Sequence, residues 1–109
     1  MIEIREYIDH KGRSFYGEWF DDLDPTAAAK IAVALVRLEH GNVANVKSVG
    51  AGVLECRIDF GPGYRIYFGR HGECLVILLG GGTKKRQPND IRKAQALWQE
   101  YKRRQRRES

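Results

Sequence analysis

From Leu54 to Gln87 the chain alternates, turns, alternates again, runs apolar, and ends in three glycines and a cationic cluster. Few folds accommodate that order. Leu54, Cys56, Ile58 and Phe60 fall on one side of an extended segment, and Glu55, Arg57 and Asp59 on the other. This is the two-residue period of a strand with a dry face and a wet face. Gly61-Pro62-Gly63 supplies a turn, after which Tyr64, Ile66 and Phe68 continue the dry face and Arg65 and Tyr67 the wet one. A hairpin centred on Pro62 sets Asp59 opposite Arg65 and Arg57 opposite Tyr67, with Phe60–Tyr64, Ile58–Ile66 and Cys56–Phe68 paired beneath. Both arginines then share one open sheet surface, and Lys84 and Lys85 can reach it from the end of the next strand.

The rest of the chain supplies cover for that sheet. Ile2 and Ile4 make a short first strand, with Glu3 and Arg5 on its other side. Ser14 caps a short helix carrying Phe15, Trp19 and Leu23. Asp24 caps a second helix with Pro25 at its first position. That helix runs to about His40 with Ala28, Ile31, Leu35 and Leu38 as its stripe, and Gly41 stops it. Residues 41–52 read as a connection without sustained period. The apolar run Leu75-Val76-Ile77-Leu78-Leu79 suits a central strand, and Gly80-Gly81-Gly82 a sharp strand-to-helix turn. From Pro88 a last helix buries Ile91, Ala94, Trp98 and Tyr101. Its basic end is expected to fray from about residue 103. The expected architecture is α+β: one domain over residues 1–109, with a small antiparallel sheet of four strands, a helical pair on one face and a C-terminal helix.

Charge is uneven. Residues 84–109 hold ten Lys/Arg against three Asp/Glu, whereas residues 1–83 hold nine against eleven. A basic end of this kind suits either a polyanionic partner or a solvated helix face. Cys56 and Cys74 make no metal motif and read as buried free thiols rather than a disulfide. The charged start and the lack of any long apolar window point to a cytoplasmic chain outside membranes.

The residues Gly61-Pro62-Gly63-Tyr64-Arg65-Ile66-Tyr67-Phe68, Leu78-Leu79, Gly81-Gly82, Lys84, Gln87 and Asp90-Ile91 together resemble the RelE/HigB-like toxins of bacterial toxin–antitoxin modules. The nearest branch is that of the phage-derived or addiction-module killer proteins. The resemblance implies a RelE-like fold, a cognate antitoxin partner and no cofactor. It also implies ribosome-dependent endoribonuclease activity on mRNA, which inhibits translation and arrests growth. The alternatives are a gyrase inhibitor resembling ParE or a degenerate toxin that only binds its partner, and fold alone does not choose among them. Arg65 occupies the arginine of the family's Gly-Tyr-Arg signature, which contacts the scissile phosphate in RNase members. Arg57 matches a basic position on the preceding strand, and Lys84 the lysine after the double glycine. Thr83 replaces an aspartate common in this branch, and Asp59 a second strand lysine of the best-studied RNases.

Metal-free RNA cleavage needs a base for the 2′-hydroxyl, an acid for the leaving 5′-oxygen, and cations for the developing charge. His10, His40 and His71 are too scattered for a paired-histidine mechanism. Arg57 and Arg65 can clamp a phosphate through their paired donors. Like charges nearby disfavour the charged form of a lysine, so Lys84 can act as base or acid, with Lys85 as its substitute. Tyr67 and Tyr101 are candidates to stack on a base, and Lys85, Arg86 and His71 to bind RNA. Each has a plainer role: Arg65 pairing with Asp59, Lys84-Lys85-Arg86 as a solvated turn, His71 as a surface residue, Trp98 and Tyr101 as helix packing. Glu55, on the same face as Arg57, is a further candidate base.

Overall fold

A computed structural model describes residues 1–108. The element order is β1 (Glu3–Glu6), α1 (Phe15–Asp21), α2 (Pro25–Glu39), β2 (Val46–Ser48), β3 (Leu54–Ile58), β4 (Tyr64–His71), β5 (Leu75–Thr83), a 3-10 turn (Lys84–Arg86) and α3 (Gln87–Glu108). The class is α+β, as expected, but the sheet has five strands, in the order β1-β5-β4-β3-β2. The added strand is β2, inside the segment read as a connection. It pairs antiparallel with β3 through only three residues, Val46 opposite Cys56 to Ser48 opposite Leu54. Three residues are too few to leave a period in sequence. The sheet is also mixed, because β1 lies parallel to β5 with Ile4 opposite Val76.

Local chemistry sets the helices. Ser14 Oγ accepts from Gly17 N at 2.9 Å, and Asp24 Oδ1 from Ala27 N at 2.9 Å, so α1 and α2 each start on a side-chain cap. The buried stripe of α2 is Ala27, Ile31, Ala34 and Leu38, turned slightly from the expected one so that Ala28 and Leu35 flank it. Helical geometry in α3 continues to Glu108.

The hairpin register differs by two residues from the expected one. Arg57 lies opposite Arg65, Ile58 opposite Tyr64 and Cys56 opposite Ile66. Asp59 to Gly63 form a longer loop, with Gly61 and Gly63 in the left-handed region at φ 56° and 79°. A two-residue slip preserves the faces, so both arginines remain on the same side.

That side is not open. The sheet is covered on both faces. One layer joins Tyr16, Ile31, Ala34 and Leu38 to Cys56, Ile66, Phe68, Val76 and Leu78. The other joins Tyr67, Ile77 and Leu79 to Ala94, Leu97, Trp98 and Tyr101 of α3. Nor do the three glycines form a turn, because β5 carries them to Thr83. A bulge between Tyr67 and Phe68 leaves Leu79 unmatched, with Gly80 opposite Tyr67 and Leu78 opposite Phe68. A Cβ on Gly81 would stand inside the Trp19 ring, one on Gly69 inside the Trp98 ring, and one on Gly82 against the Asp90 carboxylate. These glycines give helices close approach to the sheet. Both cysteines are free, Cys56 buried but Cys74 exposed, since Cys74 sits in the β4–β5 turn rather than in the strand.

Candidate functional site

The end of the sheet where β3 leaves and β4 returns gathers three of the residues singled out in sequence. Arg57 and Arg65 face each other across the ladder. Like charges so placed repel, and each has its own carboxylate. Arg57 Nε lies 3.3 Å from Asp59 Oδ1, with the Arg57 side chain 53% exposed. Arg65 is 7% exposed and its Nε stands 3.9 Å from Oε1 of Glu55, which is 1% exposed. The expected Asp59–Arg65 pair does not form, because the register sets Asp59 beyond the ladder.

Arg65 is fixed at its other end by Nη1, which donates to the Gly63 carbonyl at 2.7 Å. The Lys84 backbone N–H donates to the same oxygen at 2.9 Å. Gly63 thus ties the start of the cationic turn to the arginine, and a Cβ there would lie 3.1 Å from Arg65 Nη1 and 3.5 Å from Lys84 Cβ. Lys84, Lys85 and Arg86 are all exposed.

Glu55 organises the interior of this end. Its Oε2 accepts from Gln87 Nε2 at 2.8 Å, and its Oε1 has Lys47 Nζ at 3.8 Å and Arg65 Nε at 3.9 Å. Buried carboxylates persist when cations and donors surround them in this way. The result is a groove of about 180 Å³ lined by Asn45, Lys47, Glu55, Arg57 and Arg65. Lys47 escaped the sequence reading because β2 did. Gln87 was legible only as part of the family pattern, not as a partner for Glu55.

Two tyrosines change role. Tyr67 is fully buried, so it offers no surface on which a base could stack. Its hydroxyl makes no hydrogen bond, and burial followed by the nearby Glu55 charge pushes its pKa up. Tyr101 is also buried, stacked on Trp98 with centroids 4.9 Å apart. Its hydroxyl meets His71 Nδ1 at 2.5 Å. His71 is six residues along β4 from Arg65, a separation of roughly 20 Å at strand rise. The structure therefore brings Arg57 and Arg65 together, ties the Lys84 backbone to the same Gly63 carbonyl as Arg65, and holds His71 and Tyr101 at the far end of the sheet. Arg86 belongs to another hollow, of about 390 Å³, between α1 and α3, where Asp90 Oδ2 is buried without a partner.

No helix among the described residues is long and apolar enough to cross a membrane.

Residues 18–101 match the family model described as phage derived protein Gp49-like. An uncharacterised protein of Haemophilus influenzae is similar, at 44% identity over 86 residues, 78% of this chain and 87% of the relative. The span matched by the family model contains Glu55, Arg57, Arg65, Lys84 and Gln87.

Proposed function

Because the chain belongs to the phage-derived Gp49-like family, which is associated with addiction-module killer toxins, we propose that it is the toxin of a toxin–antitoxin pair. On this reading it is an mRNA endoribonuclease of RelE/HigB type, acting on ribosome-bound message in the cytoplasm without a metal. The observation that carries the nuclease reading is the pairing of Arg57 with Arg65 across β3 and β4, tied through Gly63 to Lys84. Arg57 and Lys84, both exposed, are the groups that meet the phosphate. Arg65 serves from the groove wall, held by Glu55 and Gly63, and adds positive potential where charge develops on the phosphate oxygens. Lys84 moves the proton. Lys85 and Arg86 hold the flanking backbone of the RNA electrostatically.

A second reading, a toxin that only binds its antitoxin, is favoured by two observations: Arg65 is almost wholly buried, and Asp59 occupies Arg57. Induced expression in bacteria separates the two. The nuclease reading expects growth arrest with fragmented mRNA, relieved by Arg57→Ala and by Lys84→Ala in variants whose melting temperature is unchanged. Arrest with intact mRNA and altered DNA supercoiling would move the target to gyrase. Normal growth on expression of the wild-type chain alone would leave only the binding role.

A further inference from the structure

The edge of the sheet next to α2 carries a groove that the reading above does not use. Lys30, Val33, Ala34 and Arg37 line it from α2, at the i, i+3, i+4, i+7 spacing of one helix face. Cys56, Ile58 and Phe60 form its other wall and Arg57 stands at its rim; the volume is about 330 Å³. β2 stops at Val46, opposite Cys56, so no strand covers the outer side of β3 from Ile58 onward.

Two features describe what would fill it. The first is apolar exposure. Val33, at the centre of the helix face that lines the groove, is 48% exposed, and Ile58 and Phe60 across from it are only half-buried. Buried apolar surface contributes about 25 cal/mol per Å², and an uncovered strip of this kind marks an interaction face. The second is charge. Lys30, Arg37 and Arg57 surround the groove against one carboxylate, Asp59. Lys30 Nζ lies 5.2 Å from the Phe60 ring centroid, so this exposed charge stands over the apolar wall.

We propose that this groove is the docking site for an acidic amphipathic segment of the protein partner. The apolar side chains of that segment seat between α2 and β3, and its carboxylates pair with Lys30, Arg37 and Arg57. This rests on the toxin–antitoxin reading, in which the partner is the antitoxin. It adds where the partner sits and how it neutralises: a carboxylate that takes Arg57 removes an exposed cation of the phosphate site without entering the 180 Å³ groove. The binding of the segment and the binding of RNA phosphate then compete for one side chain.

The test uses the full chain co-expressed with the product of the adjoining small reading frame. Val33→Glu and Arg37→Glu alter exposed positions only, so their far-UV spectra and melting temperatures should match wild type. Each is expected to weaken the complex at least 30-fold, with Arg103→Glu, an equal change of charge on α3, within threefold of wild type. Added salt should weaken the wild-type complex and have less effect on Arg37→Glu. Wild-type affinity in both groove variants, while the wild-type pair still forms, would overturn the docking site and leave the toxin–antitoxin reading standing. No complex with wild type would remove that reading, and the docking site with it. A dimer of the chain alone that Val33→Glu dissolves would give the groove to a second copy and overturn the proposal. So would RNA binding lost on Val33→Glu.

Discussion

Removing the Tyr67 hydroxyl is expected to leave the protein at least as stable as before. The oxygen is buried without a partner, so Tyr67→Phe deletes a desolvated polar group and no hydrogen bond. The change in unfolding free energy should be neutral or favourable, within about 1 kcal/mol in urea titration. A loss of several times that would mean the hydroxyl is bonded in solution. Asp90 makes a pH-dependent counterpart. Burial raises its pKa, although Arg86 and Lys93 pull the other way. A carboxyl raised in the folded state favours folding fully only below its unfolded value of about 3.9, and that contribution is lost as pH rises through the folded value. Asp90→Asn should therefore raise the melting temperature at pH 7, on the order of a few degrees. The advantage should shrink as pH falls from neutral towards 4. An advantage that grows on acidification would contradict the assignment.

At the scale of elements, the glycines of β4 and β5 divide by what they face. Gly69→Ala and Gly81→Ala push a methyl into Trp98 and Trp19 respectively, whereas a Cβ on Gly80 meets nothing within 4 Å. The first two should each lower stability by about 1–3 kcal/mol, as overpacking does. Gly80→Ala should stay within about 0.5 kcal/mol of wild type, as substitutions into open space do. Equal effects at all three would point to backbone strain instead of ring contact. The same glycines mark where sequence reasoning stopped. Three in a row read as a turn because local chemistry shows their freedom and not the rings pressed on them. Helix starts were legible because Ser14 and Asp24 act within one turn of themselves. The hairpin faces were legible from alternation, but not its register, which the five-residue loop decides. Nor was the burial of Glu55, Arg65 and Tyr67, since alternation looks the same whether the polar face meets water or a helix. At the site, alternation put Arg57 and Arg65 on one face but not opposite each other, while Lys47 and the Glu55–Gln87 contact depended on β2 and on long-range packing.

The whole molecule is two apolar layers sharing one sheet. Trp19 belongs to the α1–α2 layer and Trp98 to the α3 layer, and β4 and β5 send alternate side chains into each. Neither layer can lose the sheet without undoing the other, so unfolding should be a single transition. Fluorescence of Trp19 in Trp98→Phe and of Trp98 in Trp19→Phe should each give the same urea midpoint as circular dichroism of that variant. Separated midpoints would mean that α3 detaches first.

The parallel contact of β1 with β5 also governs the order of events while the protein is being made. Ile4 leaves the exit tunnel early, yet its neighbour Val76 emerges only after both helices of the first layer and three further strands. Until then Ile31, Leu38 and Tyr16 have no complete sheet to settle on. A nascent chain paused before Leu75 therefore presents bare helices to whatever chaperone is at hand. Slowing elongation there, without altering a single amino acid, is expected to lower the soluble yield.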